Sequence, residues 1–207
     1  MIDVVGALDL HVHSAPCLYP RLADDLTVSR ACAAALMRGV VLKSHHESTV
    51  GRAVVVNAAL GNSSLTVYGS ITLNHAVGGV NPAAVDAALR TGARVVWMPT
   101  VDSTAHASAF GVSGHWDVQH PVDVHDEDTH RPPPITILRD GKLIGAALEV
   151  LVLCHERNVA LATGHLGQAE VRALTEAAQQ RGFRRLIITH PLFRVPGFSP
   201  DELVELC

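Results

Sequence analysis

Short runs of β-branched and apolar residues alternate along this chain with longer Ala-rich stretches whose apolar positions recur every three or four residues. The first pattern predicts strands and the second amphipathic helices. Their alternation predicts parallel strands joined by crossover helices. The strands are expected at 7–13, 39–45, 65–73, 94–100, 159–163 and 185–189. Helices are expected near 27–37, 51–60, 82–91, 144–157 and 168–181, the third with Asn81 as its N-cap and the last ending at Gly182.

Between the fourth and fifth strands lies a polar stretch, 103–134, rich in His, Asp and Pro and poor in apolar periodicity. Loops of that length in compact domains are usually functional, so an insertion over 103–144 is expected to act as a lid. Its last part, 135–144, predicts a small hairpin turning at Asp140-Gly141. Ser199-Pro200-Asp201-Glu202 is a capping box that begins a final helix.

Together these elements predict an α/β protein, a distorted or incomplete (β/α) TIM-like barrel with about six of eight βα units, formed by residues 1–207 as one domain. At 207 residues the chain is shorter than the ~250 usual for a closed barrel, which suggests a fragment or a barrel left open after its sixth strand. Unclosed strand edges in turn predict homo-oligomerisation.

A 48% hydrophobic share beside 17% charged residues is that of a folded core-forming chain. The net charge of -4 offers no basic field for nucleic acid, so a small-molecule substrate is the expected partner. No secretory leader or bilayer-spanning run is apparent, and a cytoplasmic location is expected. Four scattered cysteines show no CxxC and read as reduced bystanders.

Thirteen histidines are the compositional anomaly, and their placement carries the functional reading. Side chains alternate along a strand, so Asp9, His11 and His13 share one face, and His13 lies at the strand's C-terminal end. The fifth strand runs into Thr163-Gly164-His165, where glycine allows close backbone approach, and the sixth into Thr189-His190-Pro191. Neutral imidazoles converging on one rim are good ligands for zinc-like ions, which makes His11, His13, His165 and His190 the candidate metal ligands.

The second strand adds Lys43 and His45 on one face. Lys43 has several open roles: pairing with Asp9 or another carboxylate, neutralising substrate charge, bridging two metals if carbamylated, or reaching solvent at the rim. His45 is a further ligand or a proton shuttle, with His46 pointing away. Asp102 is the in-chain candidate for a ligand or general base, with helix capping as its competing role. Of the insertion's histidines, His106 lies nearest a strand; His115, His120, His125 and His130 are expected to be solvated.

The ordered set His11, His13, His165 and His190 resembles the amidohydrolase superfamily and related metal-dependent hydrolases, including phosphotriesterase-like lactonases. That resemblance implies a distorted (β/α) barrel binding one or two divalent ions, zinc first with manganese or iron as alternatives. It implies water-driven cleavage of a C–N or C–O bond in a cyclic amide, lactone or ester. Two departures stand out: the fourth strand carries no bridging Lys or Glu, and no strand-eight aspartate exists in this sequence. The His-x-His and Ser44-His45-His46-Glu47 also resemble the polymerase and histidinol phosphatase family, a phosphoesterase alternative. A non-catalytic metal-binding barrel fragment is the third reading.

Overall fold

The computed structural model describes residues 3–111 and 132–206. They form an α/β fold of parallel sheets and seven helices, beginning with β1 (Leu8–Val12), α1 (Asp25–Ala34), β2 (Gly39–Leu42) and α2 (Val50–Leu60). The stretch expected as one third strand is instead two short ones, β3 (Thr66–Tyr68) and β4 (Ser70–Thr72). α3 (Pro82–Thr91), β5 (Val95–Trp97) and α4 (Thr104–Phe110) follow. The chain continues through β6 (Leu138–Arg139), β7 (Lys142–Leu143), α5 (Gly145–Glu156), β8 (Ala160–Ala162), α6 (Gln168–Gln180), β9 (Leu186–Ile187) and α7 (Pro200–Leu206).

β1, β2 and β3 make one parallel sheet; β4, β5, β8 and β9 make another. The break falls at Gly69, where a Cβ would lie 2.4 Å from Val50 Cα, so only glycine lets the start of α2 come this close. On the α2 side Asn57 replaces a neighbouring strand: its amide donates to the Val67 carbonyl at 2.7 Å and accepts from the Val67 N–H at 2.9 Å. Nothing in the local pattern of 65–73 announces this, because the cause is a helix from elsewhere in the chain.

The sheets curl. Val41, Val95, Trp97 and Ala162 pack together with Tyr68, Ala160 and Ile187 on the concave side, uniting β2, β3, β5, β8 and β9 in one inner cluster. A larger outer cluster packs the strands against α3, α5 and α6, and Val40, Leu42 and Val67 pack against α1 and α2. The His11 and His190 rings, from the two outermost strand ends, stack with centroids 5.5 Å apart. β1 and β9 are nevertheless not paired, and the sheets stay open.

The expected hairpin is β6–β7, with Asp140 and Gly141 both at positive φ as a two-residue turn requires. The final capping box is reciprocal: Ser199 N–H donates to Glu202 at 2.8 Å and Glu202 N–H to Ser199 Oγ at 3.3 Å. One correction concerns the insertion, expected to lack regular structure from 103. Its first part is α4, started by Ser103, whose hydroxyl accepts from His106 N–H. The remaining lid expectation, with His115, His120, His125 and His130, falls on 112–131 and lies outside the described residues. No helix among the described residues is long and apolar enough to cross a membrane.

Candidate functional site

β1 and the residues after it supply the first two imidazoles. Asp9, expected on the same face as His11, is exposed and accepts the His11 N–H at 2.9 Å. β2 continues into Lys43 and His45, in step with the inward Val41, and Lys43 N–H donates to the Val12 carbonyl at 2.8 Å. A threonine pair then locks the ends of β8 and β9 together. Gly164 N–H donates to Thr189 Oγ1, and Thr189 N–H to Thr163 Oγ1, each at 3.0 Å.

Gly164 does what the sequence suggested, at φ +62 with a virtual Cβ 2.3 Å from the Met98 carbonyl oxygen. That approach lets His165 N–H reach the Pro99 carbonyl at 2.9 Å and sets the next side chain in the site. His190 holds φ +26, a backbone region that disfavours side-chain-bearing residues. Strain of this kind persists where the surrounding structure needs the side chain in place.

The result is a closed ring of five imidazoles. Centroid separations run 5.0 Å from His11 to His13, 4.7 Å to His45, 6.1 Å to His165, 5.2 Å to His190 and 5.5 Å back to His11. His106 stacks on His165 at 5.0 Å, with their Nδ1 atoms 3.0 Å apart, so the one insertion histidine singled out does reach the site. His11 also packs 4.8 Å from Trp97 on the concave wall.

Lys43 sits among these rings, 2% exposed. Its Nζ is 3.1 Å from His11 Nε2 and 4.4 Å from the Trp97 ring centre. Pairing with Asp9 and reaching solvent, two of the roles left open for it, are both ruled out by this placement. Arg21, which sequence reasoning missed, approaches His13 Nδ1 at 3.4 Å and lies over the Tyr19 ring. Both residues come from the irregular segment after β1, which carries no periodicity to flag them.

His45 is held from behind. Asn74 donates to the His45 carbonyl at 2.9 Å and accepts the Thr100 N–H at 2.8 Å, which fixes its amide orientation. It also donates to Thr100 Oγ1, 2.8 Å from His45 Nδ1. The hydroxyl proton of Thr100 is then available to His45 Nδ1, leaving the imidazole proton on Nε2. His46 packs against Tyr19 at 5.7 Å and edge-on against His45 at 6.1 Å, on the outside of the ring. Asp102 accepts the His75 N–H at 2.8 Å and does not take the N-cap role weighed for it, which falls to Ser103; its charge reaches Tyr19.

Burial, then the Lys43 charge, holds His11 down to about 3 and His190 to about 4. The same two causes, with Arg21 next, take His13 to about 2, and they push His45 and His165 well below the ordinary range. Burial followed by Arg21 lowers Lys43 to about 7. The five imidazoles are therefore neutral at physiological pH, the form in which nitrogen offers a lone pair to a metal.

The family model of DUF6282, described as a family of unknown function, matches residues 6–207, a span that contains every residue of the ring. The chain belongs to DUF6282. No curated protein matches it.

The donor set of this DUF6282 chain fits a divalent ion as a half-site. Two imidazole nitrogens bound to one tetrahedral ion stand about 3.4 Å apart, and His11 Nε2 and His13 Nε2 are separated by 3.1 Å. His190 Nδ1 is buried without a hydrogen-bond partner among the described residues. No three His, Cys, Asp or Glu side chains among the described residues already close on a common point, so the ring gathers donors without forming a finished cage. For His13 to offer Nε2 its proton must sit on Nδ1, opposite Arg21, and that guanidinium must then turn away.

Proposed function

We propose that this DUF6282 member is a metal-dependent hydrolase on an incomplete (β/α) barrel, cleaving a C–N or C–O bond of a small cyclic amide, lactone or ester. The observation that carries this reading is the ring of five neutral imidazoles at the ends of β1, β2, β8 and β9. Structural zinc sites are closed, local and Cys-containing, whereas this ring is spread over the chain and holds no cysteine.

His11 and His13 would hold the ion, zinc first with manganese or iron as alternatives, and His165 and His190 are the further donors. When bound, the ion supplies Lewis acidity toward the scissile group and lowers the pKa of water. The chain's own residues do the rest. Lys43 sets positive charge beside the place where a carbonyl oxygen becomes anionic. His45, oriented through Thr100 and Asn74, donates a hydrogen bond from Nε2 toward the leaving atom, and the proton that Asp102 takes from water passes to that atom. Asp102 is the carboxylate proposed to take the proton from water. Trp97 and the inner apolar layer close the floor and keep bulk water out of the reaction.

Two features favour this reading over its rivals. Glu47, the acid of the 44–47 cluster that a carboxylate-rich phosphoesterase would use, is bound by Arg52 at 2.7 Å. A non-catalytic ion site has no use for the buried, acid-free Lys43. The exposed Leu8 and Leu10 on the edge strand β1 suit the homo-oligomer expected from the open barrel.

The test is elemental analysis of protein purified without chelators, combined with turnover on lactone, lactam, ester and phosphoester panels. Near-stoichiometric metal, lost by at least tenfold in His11→Ala and His13→Ala but kept in His155→Ala, is the expected result. Metal-free protein without turnover, or metal content indifferent to His11 and His13, would overturn the proposal.

A further inference from the structure

Lys43 Nζ, His11 Nε2, His13 Nε2, His13 Nδ1 and Arg21 Nη2 trace one line of polar contacts, with links of 3.1 Å, 3.1 Å and 3.4 Å. A cation stands at each end and no acid stands anywhere along it. Neither Lys43 nor Arg21 forms an ion pair with a carboxylate among the described residues. Asp25 and Glu47 hold Arg52, Asp9 accepts from His11 N–H at the exposed edge, and Asp102, the proposed base, accepts from His75 N–H and pairs with neither cation.

A cation removed from water without a counter-charge is costly, and folds rarely keep one. This one keeps two. Lys43 is 2% exposed, and the Nε of Arg21 is buried with no hydrogen-bond partner. Every member of the histidine ring feels the Lys43 charge, and His11 and His13 feel Arg21 as well. The positive field therefore covers the whole site, and a dication on the histidines only enlarges the excess.

We infer that the missing counter-charge is the substrate's, and that Arg21 and Lys43 form a receptor for the carboxylate of an anionic small molecule. This deepens the hydrolase reading and rests on it for the site being catalytic. Arg21 supplies the planar fork that matches a carboxylate's two oxygens, and Lys43 a point charge beside the reacting group. The Tyr19 ring under Arg21 gives the rest of the molecule one flat wall, and Trp97, buried beneath Lys43, closes the floor. Arg21 is also the group that must turn from His13 when the ion is taken, so its fork becomes available as the site is loaded.

Calorimetric titration of the protein as purified tests this, with glutarate, glutaramide and inorganic phosphate as probes. Glutarate is expected to bind at least tenfold more tightly than uncharged glutaramide. Arg21→Met should weaken glutarate roughly tenfold to a hundredfold while leaving glutaramide unchanged, as loss of a charge-assisted contact implies. Arg21→Lys keeps the charge without the fork and should restore only part of the affinity, which also guards against a misfolded Met variant. Equal binding of glutarate and glutaramide, indifference to Arg21→Met, or no binding at all overturns the inference, and phosphate binding tighter than glutarate overturns the carboxylate assignment. Because titration needs no turnover, glutarate binding in a protein that hydrolyses nothing would sink the hydrolase reading alone. Turnover of carboxylate-bearing substrates unaltered by Arg21→Met would sink this inference alone.

Discussion

Gly164→Ala isolates the contact that sets His165 in the site. At φ +62 an alanine gives up about 1 kcal/mol in the left-handed region. Its Cβ would stand 2.3 Å from the Met98 carbonyl oxygen and 2.5 Å from that of Pro99, and because both are backbone atoms no rotamer change relieves them. Overpacking of this kind costs roughly 1–3 kcal/mol. The sum, about 2–4 kcal/mol, should lower the thermal midpoint by roughly 5–15 °C for a chain of this size.

The control is Gly182→Ala. It shares a positive φ of +66 but meets nothing within 4 Å, so it should show the conformational cost alone, roughly 2–4 °C. Melting followed by circular dichroism, checked by urea midpoints, separates the two. Equal losses in both variants would mean that the β8 turn does not press on Met98 and Pro99, and the account of how His165 is positioned would fail.

His190→Gly should change stability by less than about 1 kcal/mol, because relief of backbone strain at φ +26 offsets lost ring contacts, while metal uptake falls tenfold or more. A loss above about 3 kcal/mol would mark His190 as a structural residue instead. Burial raises the Cys17 thiol, but hydrogen bonding from His46 and then contacts with Tyr19 and Arg21 outweigh it and bring it down to about 7. Its alkylation rate by iodoacetamide should therefore climb as pH rises through about 7 and flatten above roughly 8–9 as the thiolate saturates. Cys154, pushed up to about 12 by burial, should lag throughout. Matching rates at Cys17 and Cys154, or no upward shift of the Cys17 profile in His46→Ala, would refute the assignment.

Strand parity made much of the site readable in advance. His11 with His13, and Lys43 with His45, need only alternation about a known edge, and Thr163-Gly164-His165 announced its tight approach through the glycine. The hairpin at Asp140-Gly141 and the Ser199 box are local chemistry, so local sequence sufficed. What escaped depends on distant partners. Arg21 and Tyr19 lie in a segment without period, and only folding brings them to His13 and His45. The split at Gly69 needs α2 to arrive before it exists. Lys43 could be seen as an anomaly but not resolved, because its answer is the absence of an acidic partner among described residues far apart in sequence. Helix α4 was missed although Ser103 is a good cap, since a polar, proline-rich surrounding hid seven helical residues.

The stacking of His11 on His190 has a consequence for assembly. Two imidazoles far apart in sequence are neighbours, so the ring is incomplete until the ninth strand docks near the first. Contacts of such long sequence separation form late and are among the first to open. Ligand capture should then act as a latch on the whole curl, tightening the seam where no ladder of backbone hydrogen bonds holds the two margins together.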